Sequence, residues 1–363
     1  MDDTRIRETV PTLRYLLGKK AIVILLSHLG RPDGKHKKEL RLDPIARRLQ
    51  RLLGKRVTKL DDCIGKAVEE KIKDAEPGSV FLLENVRFHA EEEKNDAHFS
   101  KQLARLGDLF VAESFGTAHR AHSSTAGIAR YLPAYAGFLM EKEINALSPL
   151  LKNPRKPLAL IIGGAKIDTK IGLIKSFFKK ADFILIGGAL ANTFLAAEGH
   201  NIGASYYEKD KLDCARDILL EAQKKRVTIL LPTDAILADS IDTESEVANL
   251  PLEDIEGEMK IFDIGALTLQ KFIATLLTCK TVIWNGPLGL YEHKKFSGGT
   301  RMIGSALARM KKTKTYLGGG DTVDALLRSH IDLRAFTHVS TGGGAMLEFL
   351  EGKKLPGIWI LQK

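Results

Sequence analysis

Two stretches, KTYLGGGDT and THVSTGGGA, place three consecutive glycines between an apolar, strand-like run and a helical pattern, at Gly318–Gly320 and Gly342–Gly344. Glycine loses more backbone freedom on folding than any other residue, so a triple run implies that something approaches too closely for side chains. Further glycine turns follow apolar runs in IIGGAK, LIGGAL and WNGPLGL. At a strand-to-helix turn, glycines let N–H groups face an anion, and the helix N-terminus adds about half a positive charge. Phosphate is the visitor that such turns suit. One turn alone serves equally well to close a tight connection with no ligand. Five in the second half of the chain point to a nucleotide. The usual fingerprints are absent, with no GxxxxGK[ST], no GxGxxG opening a helix after a strand and no protein-kinase set.

The first half carries basic residues at the equivalent places. SHLGRPDG, LENVRFH and SFGTAHRAHSS each end an apolar run and present His28, Arg31, Arg87, His119, Arg120 and His122. Arginine suits phosphate and carboxylate because its fork donates paired hydrogen bonds and keeps its charge. A single loop arginine reads as surface. Three at strand ends, with histidines beside them, fit a small anionic substrate. HRAH offers a tight i, i+3 pair that no cysteine or carboxylate motif completes, so zinc is not expected there. A nucleotide half and an anion half together suggest phosphoryl transfer, with closure to exclude water.

The elements that must position these residues are legible as short apolar runs, among them AIVILLS, SVFLLENV, DLFVAES, LALIIGGA, FILIGGA, TILLPTD and TVIWNGP. They alternate with helical stretches such as DPIARRLQRLLG, DKLDCARDILLEAQKK and ALTLQKFIATLLT. Near-continuous apolar strands separated by helices predict an α/β protein with doubly wound parallel sheets. A length of 363 residues favours two domains. A connecting helix is expected at 140–152, where prolines end the pattern LMEKEINALSPLLKNPRKP. It divides an N-terminal domain, 1–139, from a C-terminal domain, 153–348, with 349–363 as a closing segment.

The formal charge is +10, yet the lysines and arginines are scattered, with no basic tail and no aromatic-interleaved patch. A solvated basic surface that steers a small anion is expected, and not nucleic-acid binding. No apolar run reaches the roughly 18 residues of a membrane span. MDDTRIRETV is charged and has no apolar signal core, so a cytoplasmic location is expected. Cys63, Cys214 and Cys279 are few, odd in number and far apart, which suggests free core thiols in a reducing compartment and neither a disulfide framework nor a zinc site.

DDTRI, SHLGRP, LENVRF, FGTAHRAH, GGAK, WNGP, GGGDT and STGGGA occur in series. In order and spacing the chain resembles the phosphoglycerate kinase family along nearly its full length. The resemblance implies two Rossmann-like domains facing each other across a cleft and joined by a helix. It implies a cytoplasmic, monomeric enzyme of glycolysis. The reaction implied is reversible transfer of the acyl phosphate of 1,3-bisphosphoglycerate to Mg2+-ADP, giving 3-phosphoglycerate and ATP.

The resemblance also implies roles for residues. Arg5 neutralises the transferring phosphoryl group, and His28, Arg31, Arg87 and Arg120 join it in holding the triose phosphate. Lys166 accompanies the moving phosphoryl group, and Gly343 and Gly344 meet it. Gly163, Gly164, Gly187, Gly188, Asn285, Pro287, Leu290, Gly319 and Gly320 line the nucleotide. Lys170 and Thr322 contact its phosphates, Glu292 its ribose, and Asp321 the magnesium ion.

Departures from the family pattern are few. The family's opening strand, roughly RxDxNxP, has no counterpart before DDTRI. That shortening implies an incomplete first domain, and with it the alternative of a non-catalytic nucleotide-binding protein. Ala112-Glu113-Ser114 stands where the family usually has Asn-Asp-Ala, Asp168-Thr169 follows GGAKI, Ala189 replaces a third glycine, and Ala266 replaces the proline of DIGP.

Overall fold

The computed structural model describes residues 3–242 and 245–362. The chain divides into two compact units, one running to Ala146 and including the C-terminal segment from Lys354, the other spanning Leu147–Lys353.

The first unit contains α1 (Thr4–Gly18), β1 (Val23–Leu25), α2 (Asp43–Leu53), β2 (Thr58–Lys59), α3 (Lys66–Lys73) and β3 (Val80–Leu82). After these come α4 (Ala90–Glu93), α5 (Ala97–Ala104), β4 (Phe110–Ala112), β5 (Ala134–Ala136) and α6 (Phe138–Lys152), within which the division falls. Its strands are parallel and lie in two sheets, ordered β1-β3-β2 and β4-β5. The strand β3 shows why such sequences read as unbroken apolar runs. Val80 and Leu82 pack with Val10, Leu13, Leu42 and Leu49, while Phe81 and Leu83 face the other way onto Phe99 and Leu103. Helices therefore cover both faces. Pro44 sits in the first turn of α2, and Gly54 ends that helix in the left-handed region at φ 65°.

The second unit contains β6 (Leu158–Ile162), α7 (Asp168–Phe177), β7 (Phe183–Ile186), α8 (Gly188–Glu198), α9 (Leu212–Lys224) and β8 (Thr228–Leu230). It continues through β9 (Asp234–Ala238), β10 (Ala248–Pro251), β11 (Lys260–Ile264), α10 (Ala266–Thr278), β12 (Thr281–Asn285) and α11 (Gly298–Arg309). Last come β13 (Lys314–Gly318), α12 (Gly320–Arg328), β14 (His338–Val339) and α13 (Gly343–Leu350). Six parallel strands form the main sheet in the order β14-β13-β12-β6-β7-β8. Every residue of β6 is inaccessible to solvent, and Ala159, Ile161, Leu185, Trp284 and Leu317 share one core.

Parallel sheets alone do not describe this unit. The strands β10, β9 and β11 form a separate antiparallel sheet that the run of apolar segments does not announce. The physical reason lies in their composition. ANLP and KIFDI are short, half-exposed and interrupted by proline or charge, so they lack the continuous apolar pattern of doubly covered strands. The buried Asp234 opens β9 and receives hydrogen bonds from Leu267 N, Thr268 N and Thr268 Oγ1 at the start of α10. Burial pushes its carboxyl up, but the bonds from Thr268 and Asn249 prevail and hold it below the ordinary value. Ala266 N donates to Asn249 Oδ1 at 2.9 Å, a bond that a proline in its place could not make.

The last helix, α14 (Pro356–Trp359), belongs to the first unit, where Gly357 N donates to Ala118 O at 2.9 Å.

Candidate functional site

In the second unit, the chain leaves β6 in one direction to β7 and β8, while β12, β13 and β14 lie on its other side. Ligands of open α/β sheets bind beyond the carboxyl ends of the strands at such a reversal. The turn after β6 carries Gly163, Gly164 and Lys166, while β12 ends on Asn285 and the turn after it carries Pro287 and Leu290.

These two turns interlock. Gly163 N donates to Asn285 O, Gly164 N to Pro287 O and Gly187 N to Ile162 O, each at 2.9 Å, and Gly188 N donates to Leu288 O at 2.8 Å. A Cβ on Gly163 would lie 2.0 Å from Pro287 O, and one on Gly188 would meet Gly164 and Pro287 backbone atoms at 2.8–2.9 Å. The close visitor at Gly163, Gly187 and Gly188 is therefore the neighbouring turn, whereas a Cβ on Gly164 would meet nothing and that residue is set apart by its φ of +96°. Packing between turns gives Gly163, Gly187 and Gly188 a reason of their own beside the nucleotide expected at them.

The triple glycines behave differently. A Cβ on Gly343 would stand 3.0 Å from Gly319 Cα, so the two turns pack against each other, and Gly319 adopts φ +98°. A Cβ on Gly320 would meet nothing, and Gly320 and Gly344 are exposed in the first turns of α12 and α13. First-turn N–H groups have no intrahelical acceptor, which leaves them for an anion.

Side chains gather around these turns. Lys170, in α7, donates from Nζ to Oδ1 of the buried Asn285. Burial lowers the Lys170 ammonium to about 8, opposed by the charge of Asp321. The buried Thr322 hydroxyl accepts from Gly286 N at 2.7 Å, which leaves its own proton available to donate. Burial raises the Tyr291 hydroxyl to about 12, with the charges of Glu292 and Asp321 adding to the effect. Pro287 is buried, Leu290 N donates to Phe262 O at 2.8 Å, and Lys166 is exposed just before α7. Asp321 is a single exposed carboxylate in the first turn of α12. One carboxylate fits Mg2+ that arrives on phosphate and keeps several waters, and not a protein-caged ion.

In the first unit, burial drives the His28 imidazole down to about 4, and Arg87, Arg5, Arg120 and His122 push the same way. These groups thus act on His28 as one positive field, and Arg31, itself exposed, adds to the field on Arg87. Arg87 is buried, donates from Nη1 to Gly30 O at 2.9 Å, and has Nε 3.1 Å from Glu93 Oε1. Burial lowers its pKa. Arg120 Nε lies 3.2 Å from His119 Nε2.

Three positioning residues escaped the sequence reading. Asn85, fully buried, donates to Leu29 O at 2.8 Å and Leu40 O at 3.0 Å and accepts from Arg87 N at 3.1 Å, pinning the loop after β1 to the end of β3. Glu84 accepts from Leu42 N and Asn85 N, both at 2.9 Å. Glu92 accepts from Ser124 N at 2.9 Å and lies 3.8 Å from His122 Nδ1. The signal available was an acidic and an amide residue inside LENV, at the end of an otherwise apolar strand.

Comparison with known proteins matches residues 1–353 to the family model described as phosphoglycerate kinase. The phosphoglycerate kinase of Pelotomaculum thermopropionicum is 48% identical over 360 residues, covering 99% of this chain and 91% of that protein. That of Dictyoglomus turgidum is 49% identical over 361 residues, with the same two coverages of 99% and 91%. Among solved structures, phosphoglycerate kinase from Coxiella burnetii aligns with a TM-score of 0.88 at 41% identity, covering 100% of this chain and 91% of that one. The enzyme from Pyrococcus horikoshii aligns at 0.87 and 32% identity, with coverages of 100% and 91%. With glycine turns at a sheet reversal in one unit and an arginine–histidine cluster in the other, these matches agree on one assignment. The chain belongs to the phosphoglycerate kinase family.

Proposed function

We propose that the chain transfers the acyl phosphate of 1,3-bisphosphoglycerate reversibly to ADP, giving 3-phosphoglycerate and ATP. The observation that carries this reading is the field around His28. Burial first, and then Arg87, Arg5 and Arg120, keep this imidazole neutral, and the positive field of those arginines is one that a multiply charged anion would offset.

A terminal oxygen of the ADP β-phosphate attacks the phosphorus of the acyl phosphate. The bond from phosphorus to the carboxyl oxygen breaks, and its electron pair leaves on the carboxylate. No protein nucleophile is needed, because charge spread over the moving group asks for positioning and electrostatic stabilisation. Arg5 and Lys166 supply positive charge to that group, and the N–H groups of Gly343 and Gly344 supply donors. His28, Arg31, Arg87 and Arg120 hold the triose phosphate. The turns at 163–164, 187–188 and 319–320 with Asn285, Pro287 and Leu290 shape the nucleotide pocket, Glu292 takes the ribose, and Lys170 and Thr322 bind phosphate. Mg2+ bound with the nucleotide, with Asp321 as its protein ligand, would neutralise phosphate charge. The reading includes a monomer acting in the cytoplasm on small molecules alone; in support, the basic residues are scattered and no described helix is long and apolar enough to cross a membrane.

Purified chain given ADP and freshly generated 1,3-bisphosphoglycerate is expected to form ATP. Bound ADP with no ATP formed would overturn the catalytic reading.

The pH dependence of nucleotide binding follows from Lys170. Its free-state value of about 8 lies below the ordinary lysine value, and a phosphate partner favours the charged form. Binding therefore takes up a proton near pH 8, and affinity falls as pH rises above it, approaching tenfold per unit until the bound-state pKa is reached. Titrations of ADP between pH 7 and 10 measure this, and Lys170→Met should flatten the profile. A wild-type profile already flat over that range would remove Lys170 from the phosphate site.

A further inference from the structure

Asp62, Cys63 and His89 bring a carboxylate oxygen, a thiol and an imidazole nitrogen within 4.8 Å of one another. None of them has a part in the phosphoryl-transfer machinery. Asp62 and Cys63 follow β2, and His89 follows β3, its parallel neighbour. They thus occupy the carboxyl-end side of the sheet, where α/β proteins hold ligands.

The three side chains are already oriented. His89 Nε2 lies 2.7 Å from Asp62 Oδ1, which also accepts from Cys63 N at 2.6 Å. The His89 ring packs on Phe99 with centroids 4.9 Å apart, which fixes the plane from which Nε2 projects. Cys63 is wholly buried, and its thiol donates to Glu84 O at 2.8 Å. Asp62 is exposed and His89 partly so, which opens the cluster to solvent on that side.

Charge favours a cation here, against the trend of the molecule. In a chain of net +10, this corner holds Asp43, Asp61, Asp62 and Glu84 against Arg41 and Lys59. Burial first, then Asp62, Glu84 and Glu92, hold the Cys63 thiol protonated. A dipositive ion relieves that repulsion and replaces the thiol proton. One sulfur, one nitrogen and one carboxylate oxygen suit a borderline cation of the zinc class, whereas Mg2+ and Ca2+ want oxygen alone.

We propose that Asp62, Cys63 and His89 form a site for a zinc-class divalent cation, with its remaining position open to water. Binding expels the thiol proton to solvent and needs His89 Nε2 unprotonated, so affinity rises with pH.

The test uses the full chain carrying Cys214→Ala, which removes the more accessible thiol, and titrates it with Cd2+ and with Zn2+. One equivalent should bind, with a cadmium–thiolate charge-transfer absorption and release of a proton. That absorption should vanish in Cys63→Ser. Because Cys63 is buried and its replacement can impair folding, Asp62→Asn and His89→Gln give a second measure. Each should weaken Zn2+ binding at least tenfold while circular dichroism and melting stay close to the parent. Absence of the charge-transfer band in folded protein, or Zn2+ affinity unchanged in both surface variants, would overturn the site.

Discussion

Replacing Lys166 with alanine is expected to lower turnover about a thousandfold or more while leaving ADP affinity within a few-fold of the parent. Lys166 is exposed at the end of the turn after β6, free of the packing that fixes Gly163. Its loss should cost the fold little, so the effect isolates charge on the moving phosphoryl group. Arg5→Ala belongs to the same prediction, since Arg5 lies in the first turn of α1 and contributes to the field at His28. A group that acts only on transferring charge changes kcat; one that merely holds the nucleotide changes the dissociation constant as well. Steady-state rates and ADP dissociation constants, measured on the same preparations, separate the two. Equal losses in rate and affinity would remove either residue from the catalytic role.

The second large effect concerns the glycines and divides them into two kinds. Gly163→Ala puts a Cβ 2.0 Å from Pro287 O, a backbone atom that cannot swing aside. Gly188→Ala adds a left-handed φ of +65° to contacts of 2.8–2.9 Å with backbone on both sides. Either should destabilise the second unit by roughly 3 kcal/mol, lowering its melting temperature by on the order of 10 °C, with nucleotide binding lost as a consequence. Gly320→Ala has open space around its Cβ and no unusual φ. It should leave melting unchanged and weaken ADP about tenfold, because the new methyl stands where phosphate approaches the start of α12. If Gly320→Ala melts early and Gly163→Ala does not, the assignment of these turns is reversed.

This division marks the limit of what the residue order discloses. Triple glycines before helices, and arginines at strand ends, were visible because each lies within a few residues of the apolar run that positions it. The apolar run of β6 was equally visible, since a strand covered on both faces needs no polar alternation. The reason for Gly163 was not, because its neighbour Pro287 comes from the turn after a different strand, far along the chain. Asn85, Glu84 and Glu92 were hidden likewise: their partners at Leu29, Leu40, Leu42 and Ser124 become neighbours only after the sheet forms. The antiparallel sheet of β9, β10 and β11 escaped for another reason. Half-exposed strands carrying Asn249, Pro251 and Asp263 do not separate from loop by composition.

The return of the last residues to the first unit bears on how the chain is made. Residues from Lys354 onward, with Gly357 against Ala118, belong to a unit whose other members end at Ala146. A ribosome releases that segment only after all of Leu147–Lys353 has emerged. At about 5–20 residues per second, the nascent first unit waits on the order of 10 s or more with its final helix missing. The second unit has no such debt, since its residues are continuous and can condense while the first is still incomplete. Order of synthesis and order of completion are therefore inverted: the unit that starts first closes last.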